Sequence, residues 1–206
     1  MIQKRKRGEK KTRPDGSPIV PRNKLARPRG EWLRKDEIER LAKAAASLGR
    51  HRFRDEWIVR AGFRHALRVS ELVKLRRDAA DLKRGSIHIS RLKGSIDSTH
   101  DMSAEQMRAF KRLLRDYPES PYFFVTERGG PLTRSGVQKI IARAGVKAGF
   151  DFPLHPHMLR HSCGYEMANR GDDMRKIQAW MGHADIHHTQ FYCDLAEGRL
   201  KGLWKD

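Results

Sequence analysis

The chain has 206 residues, 44 Lys/Arg against 25 Asp/Glu, a formal net charge of +19 and a pI near 10.5. That length suits one domain with an appendage and is ample for a core, and the charge calls for a polyanionic partner, either nucleic acid or an anionic membrane surface. No apolar run approaches the roughly 18 residues of a membrane span, and the basic N-terminus has no apolar stretch behind it, so neither a membrane span nor a leader is expected and a cytoplasmic location is.

Residues 1–30 hold 11 Lys/Arg against 2 Asp/Glu, are rich in Pro and Gly, and show no apolar period. They read as a basic tail, either a solvated disordered arm or an arm that tracks DNA phosphates. From Asp36, the positions Ile38, Leu41, Ala42, Ala45 and Leu48 share one helical face that ends at Gly49. A second helix is predicted over 54–64 with Trp57, Ile58 and Ala61 inward, and Ser70 with Glu71, Leu72 and Leu75 starts a third just after Arg68. Ile87 and Ile89 alternate with polar neighbours in SIHIS, which predicts a short strand. Lys93-Gly94-Ser95 then turns the chain and 96–102 returns as a second strand.

Ser103 with Gln106 is a capping signal for a helix carrying Met107, Phe110, Leu113 and Leu114. Pro118 and Pro121 interrupt, YFFV (122–125) reads as a short apolar strand, and Arg128-Gly129-Gly130 as a turn. Thr133 caps a helix with Val137, Ile140, Ile141 and Ala144 inward. Its outward Arg134, Lys139 and Arg143 suit either a DNA major groove or plain solvent. Residues 150–156 form a linker. Cys163 and Cys193 make no disulfide framework and are expected as reduced, packed side chains.

Residues 155–192, HPHMLRHSCGYEMANRGDDMRKIQAWMGHADIHHTQFY, hold the groups that bear chemistry. His157 and Arg160 stand at i and i+3, so a helix puts both on one face. Met174, Ile177, Trp180 and Met181 share the next helical face, which stops at Gly182, a residue type that caps helix C-termini. His183 comes directly after it and can be turned back toward the first pair, and Tyr192 lies beyond a polar stretch able to start another helix. Two imidazoles, a guanidinium and a phenol in a basic setting suit a phosphodiester. As a phosphorane forms, negative charge gathers on the nonbridging oxygens, which a planar guanidinium fork matches. Imidazoles add hydrogen bonds or move a proton, and a phenol among cations can attack as phenolate.

The order HxxR, GH, Tyr resembles the second box of the tyrosine recombinases, the phage integrase family. RLKGSIDSTH, HPHMLRHSCG and HTQFY followed by EGRLKGLW are similar to the small fimbrial phase-variation members, and the resemblance spans 31–206. It implies an α+β, predominantly α, catalytic domain with a small antiparallel sheet over 31–206, and no separate core-binding domain. It further implies a site-specific recombinase that cleaves and rejoins DNA through a 3′-phosphotyrosine, inverting or integrating and excising an element. Arg68, in LRVSEL, matches the family's first-box arginine. Lys93 matches its hairpin lysine, the acid for the leaving oxygen, with Arg91 as competitor. The implied catalytic set is Arg68, Lys93, His157, Arg160, His183 and Tyr192, with no cofactor and no metal. Implied partners are double-stranded DNA and further copies of the chain in a tetramer on paired sites, with a DNA-bending accessory protein left open. The implied location is the cytoplasm, on the nucleoid.

Other readings carry less. His155, His157, His161, His183, His187, His188 and Cys163 could ligate zinc, but there is no CxxC or HExxH, and neighbouring arginines would repel a cation. His155, His161, His187 and His188 are therefore expected to be structural or DNA-facing. A non-catalytic DNA-binding regulator would not need every catalytic position filled, and a type IB topoisomerase needs a larger clamp. Leu200, Leu203 and Trp204 form an apolar tip that plugs either its own core or a neighbouring protomer.

Overall fold

In the computed structural model, the first helix, α1 (Lys35–Ala46), buries Ile38, Leu41, Ala42 and Ala45, the stripe its period dictates. Residues 32–196 are the ones the structure describes. The basic tail at 1–30 and the tip Leu200, Leu203 and Trp204 lie outside them. Glu37 starts α1 by accepting from the Arg34 N–H at 2.9 Å, and the helix stops before Gly49, whose φ of +64° is left-handed. α2 (Arg52–Arg64) packs on α1 through Trp57, Ile58 and Ala61. It begins two residues earlier than its apolar pattern does, because Arg52 and Phe53 add a first turn in which Phe53 is half-buried.

α3 (Val69–Val73) is only five residues long. A 3-10 turn, Arg77–Ala79, leads into a three-stranded antiparallel sheet of β1 (Ala80–Asp81), β2 (Ser86–Ile89) and β3 (Ser98–Asp101), in that spatial order. Ile87 and Ile89 point into the core, and Ile87 pairs with His100 and Ile89 with Ser98. The returning strand is thus shorter than 96–102, since residues 95 and 96 turn aside to bond elsewhere. β1 has no period long enough to be read from sequence.

α4 (Ala104–Asp116) is capped as its sequence implies, with Ser103 Oγ accepting from the Gln106 N–H at 3.2 Å. Phe110 is 0% exposed and packs edge-on to Trp57 and against Phe123. Burying such a side chain contributes about 2 kcal/mol, and Phe110→Ala would cost roughly 3 to 5 kcal/mol. The segment 122–125 is not a strand. Phe123, Phe124 and Val125 are buried, but the Phe123 N–H donates to Leu75 and the Phe124 carbonyl accepts from Leu132, with single bridges from Tyr122 to Arg76 and from Val125 to Pro131. Its partners change from residue to residue, so no ladder forms although every side chain suits one.

α5 (Arg134–Lys147) keeps Arg134, Lys139 and Arg143 exposed. α6 (Pro156–Asn169) begins with proline in its first turn, where a missing N–H is harmless, and is buried on nearly every side. α7 (Met174–Met181) starts at Asp173, whose side chain accepts from the Arg175 and Lys176 N–H groups, and ends at Gly182. α8 (His187–Leu195) carries Tyr192. A large core joins α1, α2, α4 and α5 to the sheet. A second cluster of Trp32, Ala66, Cys163, Tyr165, Met167, Ala168, Ile177, Met181 and Tyr192 holds α6, α7 and α8 together. The class is α+β and predominantly helical, and no helix among the described residues is long and apolar enough to cross a membrane.

Candidate active site

The start of α6 supplies His157 and, one turn on, Arg160. His157 is exposed, while Arg160 is 2% exposed. Arg160 donates through Nη1 to the Ala66 carbonyl at 2.6 Å and through Nη2 to the Met181 carbonyl at 2.8 Å. Burial and the like charges of Arg68 and Arg91 bring its pKa down to about 10, so it remains a cation at neutral pH.

Arg68 occupies the N-cap of α3. Its N–H and its Nη1 both donate to Glu71, at 2.9 and 2.8 Å, and its side chain is 26% exposed. Burial alone would raise the Glu71 carboxyl, but hydrogen bonds from Arg68 and the charge of Arg91 hold it below the usual range. Arg68, Ser70, Gln138, His155 and His157 line one open cleft, so the Arg68 guanidinium and the His157 imidazole share a wall.

Arg91 and Lys93 part company. Arg91 is buried and donates to Glu71 at 3.0 Å and to the carbonyls of Ala66, His65 and Trp180. Lys93 is exposed at the turn between β2 and β3. That turn is tied to the end of α7, where the Ile96 N–H donates to the Gly182 carbonyl at 3.1 Å and Ser95 bridges to His183. Gly182 is required there twice over. Its φ is +68°, and a Cβ would lie 2.5 Å from the Ile96 carbonyl oxygen and 2.8 Å from Arg91 Cγ.

His183 is 8% exposed, with Nδ1 2.9 Å from the Thr189 hydroxyl. Burial and the charges of Arg160 and Arg68 push it down to about 3, so it is neutral at pH 7. The ring of Tyr192 lies parallel to that of His183 within 5° at 6.3 Å between centroids. Tyr192 is 4% exposed, and burial pushes its phenol up to about 12 against the pull of Arg160 and Arg68. Its hydroxyl is 2.8 Å from His161 Nδ1.

The fold thus brings Arg68, His157, Arg160, His183 and Tyr192 to one region at the start of α6 and the end of α7, with Lys93 on a turn bonded to the same corner. Sequence reasoning missed the supporting contacts of Ala66, Glu71, Thr189 and Trp180, and it gave His161 no special place. The signal for His161 was its adjacency to Arg160 in HxxRH; the others left none. Among the described residues, no group of three or more His, Cys, Asp or Glu gathers as a metal cage.

The profile of the Phage integrase family matches residues 31–199. The type 1 fimbriae regulatory protein FimB of Escherichia coli (strain K12) is 39% identical over 188 residues, covering 89% of this chain and 94% of that protein. The tyrosine recombinase XerD of Listeria innocua serovar 6a is 31% identical over 182 residues, 84% of this chain and 61% of that one. The crystal structure of XerA recombinase superposes with a TM-score of 0.73 at 30% identity, over 89% of this chain and 67% of that chain. A helical domain that gathers two arginines, two histidines and a tyrosine around one corner, with these relatives, belongs to the phage integrase family and is a tyrosine-type site-specific recombinase.

Proposed function

We propose that the protein cleaves and rejoins double-stranded DNA through a 3′-phosphotyrosine on Tyr192. The observation that carries this reading is the meeting of Arg160, Arg68 and His183 around a buried phenol that both arginines pull toward ionisation. In the attack, the phenol O–H gives its proton to the exposed His157, the phenolic oxygen bonds to phosphorus, and the P–O5′ bond breaks. Lys93 protonates the departing 5′-oxygen. It is the exposed cation on the hairpin, whereas Arg91 is anchored by Glu71 and three carbonyls. Arg68 and Arg160 neutralise the nonbridging oxygens, and pre-aimed donors of this kind each contribute on the order of 3 kcal/mol to the transition state. The phosphotyrosine stores the bond energy, so rejoining needs no nucleotide.

The catalytic domain spans 31–206 in this reading, and the basic 1–30 segment is an arm for DNA phosphates. In this reading the protein inverts, or integrates and excises, a DNA element as a tetramer on paired sites in nucleoid DNA, with a DNA-bending accessory protein as a further partner, and its likeness to a type 1 fimbriae regulatory protein favours the fimbrial type. The test sequences the DNA flanking the gene for a pair of short inverted repeats and uses that DNA, nicked beside the cleavage position so that the adduct is trapped. The native chain should form the adduct, and Tyr192→Phe should bind with near-native affinity and form none. An adduct from Tyr192→Phe would remove Tyr192 from the mechanism.

A further inference from the structure

The Tyr192 hydroxyl meets a residue that has no part in the cleavage chemistry. His161 Nδ1 lies 2.8 Å from it. His161 is next to Arg160 on α6 and stands one turn beyond His157, its ring edge-on to the His157 ring at 4.4 Å. Burial, with His157 and Arg160 close by, pushes His161 down to about 4, so the ring is neutral at pH 7. In the tautomer that carries its proton on Nε2, the neutral ring accepts the phenol O–H at Nδ1. The phenol, pushed up to about 12, keeps that proton, because transfer to so weak a base is far uphill. The pair is therefore a hydrogen bond and not an acid–base couple.

The pose around that bond is closed. Tyr192 is 4% exposed. A Cβ at Gly164 would lie 2.9 Å from Tyr192 Cε2 and 2.8 Å from Met181 Sδ, so the ring lies directly against the α6 backbone. Arg68 and His157 face an open cleft, where a DNA phosphate would bind. To reach it, the hydroxyl must leave its buried place.

We propose that His161 is a positioning residue that parks the nucleophile, its Nδ1 holding the Tyr192 hydroxyl inside the chain until DNA engages the site. The proposal rests on Tyr192 being the nucleophile. Parking keeps the phenol protonated and away from stray phosphodiesters. It adds no covalent step, since one hydrogen bond opens before attack and re-forms after rejoining.

The test is single-turnover adduct formation on the nicked substrate at saturating protein, with His161→Leu, His161→Gln and His161→Asn. Asn places its amide oxygen near the Nδ1 position, Gln carries its amide where Nε2 stood, and Leu has no acceptor. Leu and Gln should each speed adduct formation by about two- to tenfold, the effect of releasing one hydrogen bond. Asn should stay within about twofold of native, and DNA affinity should be unchanged in all three. If His161→Leu fails to fold, the contrast between Gln and Asn decides alone. Unchanged or slower adduct formation in Gln, or equal behaviour of Gln and Asn, overturns the parking role. Tyr192→Phe run alongside separates that failure from the other, because an adduct there overturns the nucleophile itself.

Discussion

The Ala66 carbonyl accepts from Arg160 Nη1 at 2.6 Å, and Ala66 reaches that position through a left-handed backbone with φ of +50°. The conformation costs a residue with a Cβ about 1 to 2 kcal/mol. Here it turns a carbonyl toward two buried guanidiniums, since Arg91 donates to the same oxygen at 3.2 Å.

Ala66→Gly should therefore leave stability within about 1 kcal/mol of native, relief of strain offsetting glycine's extra chain entropy. Ala66→Val should cost roughly 2 kcal/mol or more, because a β-branched residue resists positive φ and the site is 0% exposed. Urea titration measures both. A valine variant as stable as native would show that the left-handed turn is not enforced.

The pH dependence of stability comes from the buried histidines. His65 donates to or accepts from His100 at 2.9 Å, His100 stacks on Trp180 at 3.7 Å, and His100 Nε2 meets the Ser98 hydroxyl. Burial and the Arg91 charge push His100 down to about 3, burial and His100 push His65 well below its usual value, and His183 stands at about 3. Such groups bind protons in the unfolded chain but not in the folded one once pH drops below about 6.5. Their stabilisation is complete above that pH and is lost as pH falls toward the folded values. Each contributes a slope of about 1.4 kcal/mol per pH unit in that window. His100→Phe should remove one such slope between pH 6 and 4, read from urea melts across the range. An unchanged slope would mean that His100 is protonated in the folded chain.

Lys93→Ala should slow cleavage of an ordinary phosphodiester far more than cleavage of one with sulfur at the 5′-bridging position, which leaves without a proton. Equal slowing of both would show that Lys93 is not the acid. Arg91→Ala should instead lower stability by roughly 2 kcal/mol, because it takes one of two arginines from the buried Glu71 carboxylate and removes the donor to the His65 and Trp180 carbonyls.

Much of this arrangement was legible in the sequence, for identifiable reasons. His157 and Arg160 share a helix face by spacing alone, and Gly182 announced the end of α7 that delivers His183. Capping by Ser103 and Thr133 needed only the local hydroxyl. What could not be read depends on tertiary partners. YFFV has strand composition, yet its neighbours supply single bridges instead of a ladder. Ala66 carries no mark of its left-handed turn, because it closes α2 where glycine is usual, with the Leu67 N–H donating to the Gly62 carbonyl and its own N–H to the Phe63 carbonyl. That Arg91 is buried and Lys93 exposed also needed the fold. His161 was expected to be structural or DNA-facing, and only the return of α8 onto α6 shows what its ring touches.

The most direct test of Tyr192 as nucleophile is to digest the trapped protein–DNA adduct with protease and map the peptide that carries the nucleotide, together with the DNA end attached to it. One modified peptide is expected, modified at Tyr192, bearing a 3′-phosphate linkage and leaving a free 5′-hydroxyl on the other strand end. Attachment at Tyr165, Tyr122 or Tyr117, at a serine, or through a 5′-phosphate would contradict that assignment.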